Sequence, residues 1–216
     1  MMFDPRKPAF YINPDLIPSG GATHAVIDPA TLQTVGTIAE VTPSEIEQAL
    51  DAARAAQGAW KQLDAKSRAT VLHRIATLIE ASDMRRCAEL MSREMGKPYP
   101  EAIGEIANCA GVFRYFAEMA RDEAGKVAGT TQAGSFQYAR YEPVGVSVHI
   151  MPFNFPILLM CWTVAASLAA GNGCIVKPAP ATTLSTLDFM RVFEPLPHGL
   201  LACLPGGAEL ARALIA

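Results

Sequence analysis

The 216 residues contain no basic stripe, and the formal net charge is −3. That balance argues against nucleic acid or an anionic membrane as the main partner. The opening MMFDPRKPAF holds no apolar core of the kind a secretory signal needs. The apolar run over residues 157–170 falls short of the roughly 20 residues that span a bilayer. No Cys-x-x-Cys pair occurs, and the five cysteines are an odd number. Reduced thiols in the cytoplasm are therefore expected. His24, His73, His149 and His198 have no metal-ligand spacing, so no metal site is expected. There is no internal repeat, no low-complexity tract and no G-x-G-x-x-G. With 50% hydrophobic residues, the chain can bury a core and fits one or two folded domains.

The densest information lies in residues 144–180, VGVSVHIMPFNFPILLMCWTVAASLAAGNGCIVKPAP. Residues 144–150 are rich in Val and Ile and bounded by Pro143 and Pro152, which predicts a short buried strand. Residues 157–170, closed by Gly171, predict a buried helix with a glycine cap. Residues 174–176 predict a second strand, ended by Lys177-Pro178. Two strands joined by a helix form a right-handed βαβ unit with parallel strands. Asn154 and Lys177 then leave the same carboxyl edge, where open α/β sheets bind ligands.

The preceding residues divide at turn signals. Strands over 25–28 and 34–38 are expected to form a hairpin around Pro29-Ala30-Thr31. Thr42-Pro43-Ser44-Glu45 has the form of a capping box with proline at the first helical position. It predicts a helix to about Gly58, with Ile46, Leu50 and Ala53 on one face. Further helices are expected over residues 66–81, 83–95 and 100–124, the last two stopped by Gly96 and Gly125. Residues 135–142 read as an extended strand. After Lys177, Thr182 or Thr183 is expected to cap a helix ending near Phe193. Residues 200–204 read as a third buried strand, and residues 209–216 begin another helix. A parallel sheet of three strands would leave an unpaired edge, which suggests the amino-terminal piece of a longer architecture.

Several motifs in this order resemble those of the aldehyde dehydrogenase superfamily. Met151-Pro152-Phe153-Asn154-Phe155-Pro156 is similar to that family's P-W-N-F-P loop. Gly171-Asn172 followed by Val176-Lys177-Pro178 resembles its G-N-x-x-x-x-K-P. Tyr141-Glu142-Pro143-Val144-Gly145-Val146, Glu94-Met95-Gly96-Lys97-Pro98 and Leu204-Pro205-Gly206-Gly207 add support. The resemblance implies the amino-terminal part of a Rossmann-type, three-layer α/β fold with an incomplete parallel sheet. Residues 1–126 would be the hairpin and helices of the cofactor-binding domain, 127–142 an oligomerisation strand segment, and 143–216 an incomplete dinucleotide-binding unit.

The resemblance also implies roles. Asn154 matches the asparagine whose amide donates to the oxyanion formed when a cysteine thiolate attacks an aldehyde. Such a neutral donor must be fixed beforehand where charge develops. Taken alone, an asparagine before Phe-Pro equally reads as the N-cap of the following helix, and the two roles are compatible. Lys177 matches the lysine that binds the adenosine ribose of NAD or NADP; its plain alternative is a solvated lysine ending a strand. The dinucleotide would lie against Ile150, Met151, Pro152, Phe153 and Asn154 on one loop. Lys177, Ala179, Pro180, Gly206 and Gly207 would meet it on the others. Gly206 and Gly207 also fit an ordinary strand-to-helix turn. Pro180 stands where many NAD-preferring members carry a glutamate, so the bias against NADP is expected to be weak. Ala208 replaces a glycine that is frequent there. The family's nucleophilic cysteine and general base have no match among Cys87, Cys109, Cys161, Cys174 and Cys203, which are expected to be structural. The implied enzyme oxidises an aldehyde as a dimer or tetramer. The other reading is a non-catalytic remnant or an assembly or nucleotide-binding module. Phe113, Tyr115, Phe116 and Met119 form a stripe that fits either core packing or a wall of the aldehyde tunnel.

Overall fold

Local side-chain caps start the first two helices. The computed structural model describes residues 3–122, 125–129 and 132–215. The capping box is formed: the Glu45 amide donates to Thr42 Oγ1 at 3.3 Å, and the Thr42 amide donates to Glu45 Oε2 at 2.7 Å. It begins α1 (Pro43–Trp60), which outlasts the expected Gly58 because Trp60 is fully buried. The Trp60 indole donates to the Leu168 carbonyl at 3.0 Å. Asp64 caps α2 (Ala65–Ala81) through the Ser67 amide, and Leu72, Ile75 and Ile79 are buried as their spacing predicts. Next come α3 (Arg85–Met95), closed by Gly96 at φ 81°, and α4 (Tyr99–Met119). α4 stops short of the expected Ala124, which lies outside the described residues. Its apolar stripe runs out at Ala120-Arg121-Asp122, and a further turn would have nothing to pack on.

The described residues hold nine strands: β1 (Ala9–Ile12), β2 (Asp15–Pro18), β3 (Thr23–Ile27), β4 (Thr34–Ala39), β5 (Gly125–Val127), β6 (Tyr138–Arg140), β7 (Val146–Ile150), β8 (Gly173–Lys177) and β9 (Leu201–Cys203). β3 and β4 form the expected hairpin, with Asp28 Oδ1 accepting from the Ala30 and Thr31 amides in the turn. β6 pairs with β5 as an exposed antiparallel ribbon. The main sheet has the order β2-β1-β9-β8-β7. β7, β8 and β9 are parallel, as the βαβ pattern requires.

Of the two edges of the parallel strands, the one at β9 is occupied, while β7 stays outermost among the described residues. β1 pairs there antiparallel, and β2 folds back on β1. The missed signal is the run Ala9-Phe10-Tyr11-Ile12, buried at every position. Its Asn13-Pro14 turn is anchored from within: the Asn13 amide donates to the Leu196 and Pro197 carbonyls, and Tyr11 Oη donates to Asn13 Oδ1.

Strand alternation divides the interior into two cores. Phe10, Ile12, Ile175 and Ala202 face α1 and α7 (Ala208–Ile215) with Ala49, Ala53 and Leu210. α7 was expected to reach Ala216, which lies outside the described residues. Tyr11, Cys174, Val176, Leu201 and Cys203 face α2–α4, α5 (Pro156–Ala169) and α6 (Thr183–Phe189). The sheet is therefore the middle of three layers. α5 ends as expected, with Gly171 at φ 95°.

α6 corrects an expectation. Thr182 stands at its N-cap but makes no side-chain capping bond, and the single helix to Phe193 is instead a 3-10 turn at Pro180–Thr182, α6, and a second 3-10 turn at Met190–Phe193. The cap comes from α3. Buried Glu94 accepts from the Leu184 amide at 2.8 Å and the Ser185 amide at 2.9 Å. Glu94→Ala leaves both amides buried without an acceptor, at about 1–3 kcal/mol each. A loss of about 2–6 kcal/mol is expected from urea unfolding, seen as a lower midpoint at constant slope.

Candidate functional site at the carboxyl rim of the sheet

Ile150 lies opposite Lys177 in the β7–β8 register, and Val176 lies opposite Cys203 in β8–β9. The three strands therefore end together. The Met151 amide donates to the Lys177 carbonyl at 2.9 Å, and the Leu204 amide to the Val176 carbonyl at 2.8 Å. The loops after β7, β8 and β9 leave from this one rim, as the crossover rule predicts.

On the first loop, Met151 is buried while Pro152, Phe153 and Asn154 are exposed, as is Ile150 at the strand end. The Asn154 side-chain amide makes no hydrogen bond to any described residue. Its N-cap reading is overturned. Phe155 occupies the N-cap of α5, with no side-chain capping bond. The cap arrives from α4, where Glu105 Oε1 accepts from the Ile157 amide at 2.9 Å and the Leu158 amide at 3.0 Å. A carboxylate at a helix amino terminus meets both the free N–H groups and the positive end of the helix dipole. An acceptor supplied from α4 leaves the asparagine free.

Glu105 is held in turn by Lys97. Their side chains are 1% and 5% exposed, and Lys97 Nζ donates to Glu105 Oε2. The same ammonium donates to the Asn154 carbonyl at 2.7 Å and lies 4.0 Å from the centre of the Phe155 ring. Neither residue was singled out as a site residue from sequence. The available signal was an acid inside the apolar stripe of α4, between Ala102 and Ile106, both buried. Lys97 stood within a recognised motif but without a role.

On the second loop, Lys177 is neither solvated nor free. It is 4% exposed, and Nζ donates to the Pro178 carbonyl at 2.6 Å and the Gly206 carbonyl at 2.9 Å. Burial holds its pKa below the ordinary lysine value. Two of its three N–H donors are thus used by backbone. Ala179 is half-buried, and Pro180 is exposed at the start of the 3-10 turn. On the third loop, a Cβ on Gly206 would meet Leu210 Cδ2 at 2.6 Å, so packing of α7 requires glycine there. A Cβ on Gly207 would meet Glu40 Oε1 at 3.1 Å.

Cys203 ends β9 at the rim, near Lys177, and the other four thiols lie in α3, α4, α5 and β8. All five cysteines are free and buried. Burial pushes Cys87 and Cys161 well above the ordinary thiol value, and Cys174 up to about 12. None is a ready nucleophile. His149 is a strand residue, as expected. Burial lowers it to about 4, and its Nε2 lies 2.8 Å from Ser147 Oγ. The aromatic stripe of α4 splits. Phe113 is core, 5.8 Å from Phe193 between ring centres. Tyr115 and Met119 are exposed, and Tyr115, Phe116 and Trp162 form an aromatic cluster with centres 5.0–6.1 Å apart. Among the described residues, no group of three or more His, Cys, Asp or Glu is arranged to hold a metal, and no helix is long and apolar enough to cross a membrane.

Parallel strands with helices on both faces, and polar groups collected where the strands end, define an α/β protein of the open-sheet class. The comparisons narrow the class. The aldehyde dehydrogenase family profile matches residues 16–216, and the chain belongs to that family. It is 34% identical over 204 residues to retinaldehyde dehydrogenase 3 of Rattus norvegicus, covering 92% of this chain and 40% of that protein. An NADP-dependent enzyme of E. coli superposes with a TM-score of 0.87 at 30% identity, over 96% of this chain and 44% of that one. Betaine aldehyde dehydrogenase of Staphylococcus aureus, solved with NAD+, gives 0.86 at 28%, over 94% and 42%. The chain thus spans about 40–44% of the length of these relatives and corresponds to the amino-terminal portion of the family.

The depressed His149 pKa has a definite sign. Above pH 6.5 the ring is neutral in both states. Below it the unfolded chain takes up a proton that the folded chain refuses until about pH 4. Stability is therefore lost as pH falls through this window, by up to about 3 kcal/mol. His149→Gln is expected to flatten that part of the profile in urea titrations at stepped pH. A matching decline in both proteins refutes it.

Proposed function

We propose that the polypeptide carrying this chain is an NAD(P)-dependent aldehyde dehydrogenase, and that these residues supply its oxyanion donor and part of its dinucleotide cleft. The observation that carries the reading is the Asn154 amide, exposed and unbonded to described residues at the rim where Lys177 is anchored. In the proposed reaction a cysteine thiolate outside this chain adds to the aldehyde carbon, and the carbonyl oxygen takes the negative charge. Asn154 Nδ2 donates to that oxygen. The bound dinucleotide supplies the hydride acceptor, and water then releases the carboxylic acid.

The residues present fit a dinucleotide. Lys177 retains a third N–H beyond those given to Pro178 and Gly206, suited to a ribose hydroxyl. Ile150, Met151, Pro152 and Phe153 would flank it on one side, and Ala179, Pro180, Gly206 and Gly207 on the other. Pro180 offers no carboxylate to repel a 2′-phosphate, so both NAD and NADP are proposed as cofactors. The cluster Tyr115, Phe116 and Trp162 is proposed as an apolar wall for the aldehyde. The exposed ribbon of β5 and β6, with Phe136, Tyr138 and Tyr141 open to solvent, supports residues 127–142 as an oligomerisation segment of a dimer or tetramer. Five free thiols support a reducing compartment such as the cytoplasm.

Asn154→Ala in the active polypeptide is expected to lower kcat about 10²–10³-fold while the dinucleotide KM changes less than about threefold. Equal losses in both would assign Asn154 to folding or binding instead. Pro180→Glu, at an exposed position, is expected to raise the NAD-over-NADP ratio of kcat/KM at least about tenfold. An unchanged ratio places the 2′-phosphate elsewhere.

A further inference from the structure

We infer that Lys97 and Glu105 are positioning residues for the Asn154 amide, fixing the backbone from which that side chain projects. The inference rests on the reading of Asn154 as an oxyanion donor. A donor of this kind works only if it is oriented before charge develops. No described residue hydrogen-bonds the Asn154 side-chain amide, so the main chain at Asn154 is what fixes where that side chain starts. Pro152 and Pro156 fix φ at their own positions. The orientation of the Asn154 carbonyl is left to some other group.

That group is Lys97. Its ammonium donates to the Asn154 carbonyl at 2.7 Å and covers the Phe155 ring at 4.0 Å. Glu105 completes the frame. One carboxylate oxygen accepts from Lys97, and the other accepts from the Ile157 and Leu158 amides. The loop is thus held at Asn154 and again at the first turn of α5 by a single ion pair. With the Lys97 and Glu105 side chains 5% and 1% exposed, bulk water has little access to compete for these bonds. The pair reaches the loop from α4 and the segment before it, so the donor is set against a rigid helix.

A double-mutant cycle in the active polypeptide tests this. Lys97→Met keeps the unbranched stem against Phe155 and removes the ammonium. It is expected to lower kcat about 10–100-fold, with aldehyde and dinucleotide KM within about threefold. In an Asn154→Ala background the same substitution is expected to cost less than about twofold, because its target is gone. Equal losses in the two backgrounds overturn the positioning role while leaving the oxyanion role intact. An undiminished kcat in Asn154→Ala alone overturns the oxyanion role itself. Should Lys97→Met not fold, Lys97→Arg serves. Its guanidinium keeps the charge but changes the reach to the Asn154 carbonyl. A kcat about 3–10-fold lower at unchanged thermal midpoint and dinucleotide affinity is expected, and wild-type turnover overturns the proposal.

Discussion

The buried ion pair between Lys97 and Glu105 is the contact on which the rim depends. It joins three separate parts of the chain: the segment after α3, the middle of α4, and the loop that opens α5. A buried charge is costly unless paired and hydrogen-bonded, and removing one partner strands the other. Here the two groups satisfy each other, two helical amides and a loop carbonyl. The energetic value of the pair lies in fixing one arrangement of that loop.

Glu94 repeats the device at α6. In both cases a glutamate carboxyl from one helix caps the amino terminus of another, and the helix so capped follows a strand of the parallel sheet. A local Ser, Thr or Asn cap would tie each helix start only to itself. A distant carboxyl group ties it to a neighbouring helix of the same layer, so strand exit, helix start and helical layer become one unit. Lys177 does the same on the rim, bridging the turns after β8 and β9 through two backbone carbonyls. The crevice wall is thereby built from backbone whose spacing is fixed by buried cations and anions.

Much of the layout was legible in the sequence. The capping box at Thr42, the hairpin around Pro29, the βαβ unit after Pro143 and the glycine stops at Gly96 and Gly171 all follow from local chemistry. Helical and strand periodicity survive into the structure because burial acts on one face at a time. The misses share a cause. β1 was hidden because four apolar residues carry too little pattern to announce a strand, and its partner β9 lies near the other end of the chain. The caps of α5 and α6 were assigned to Asn154, Thr182 and Thr183 because local residues are the only acceptors a sequence reading can see.

The sequence by itself determined the α/β class, the parallel core of the sheet and the common exit of Asn154 and Lys177, since each depends on residues adjacent in the chain. Tertiary structure alone decided that Asn154 is free and Lys177 anchored. Both outcomes turn on which acceptor meets a buried donor, and the deciding acceptors, Glu105 for α5 and the Gly206 carbonyl for Lys177, came from other segments of the chain. Separation in sequence carries no information about that competition; packing of the layers does.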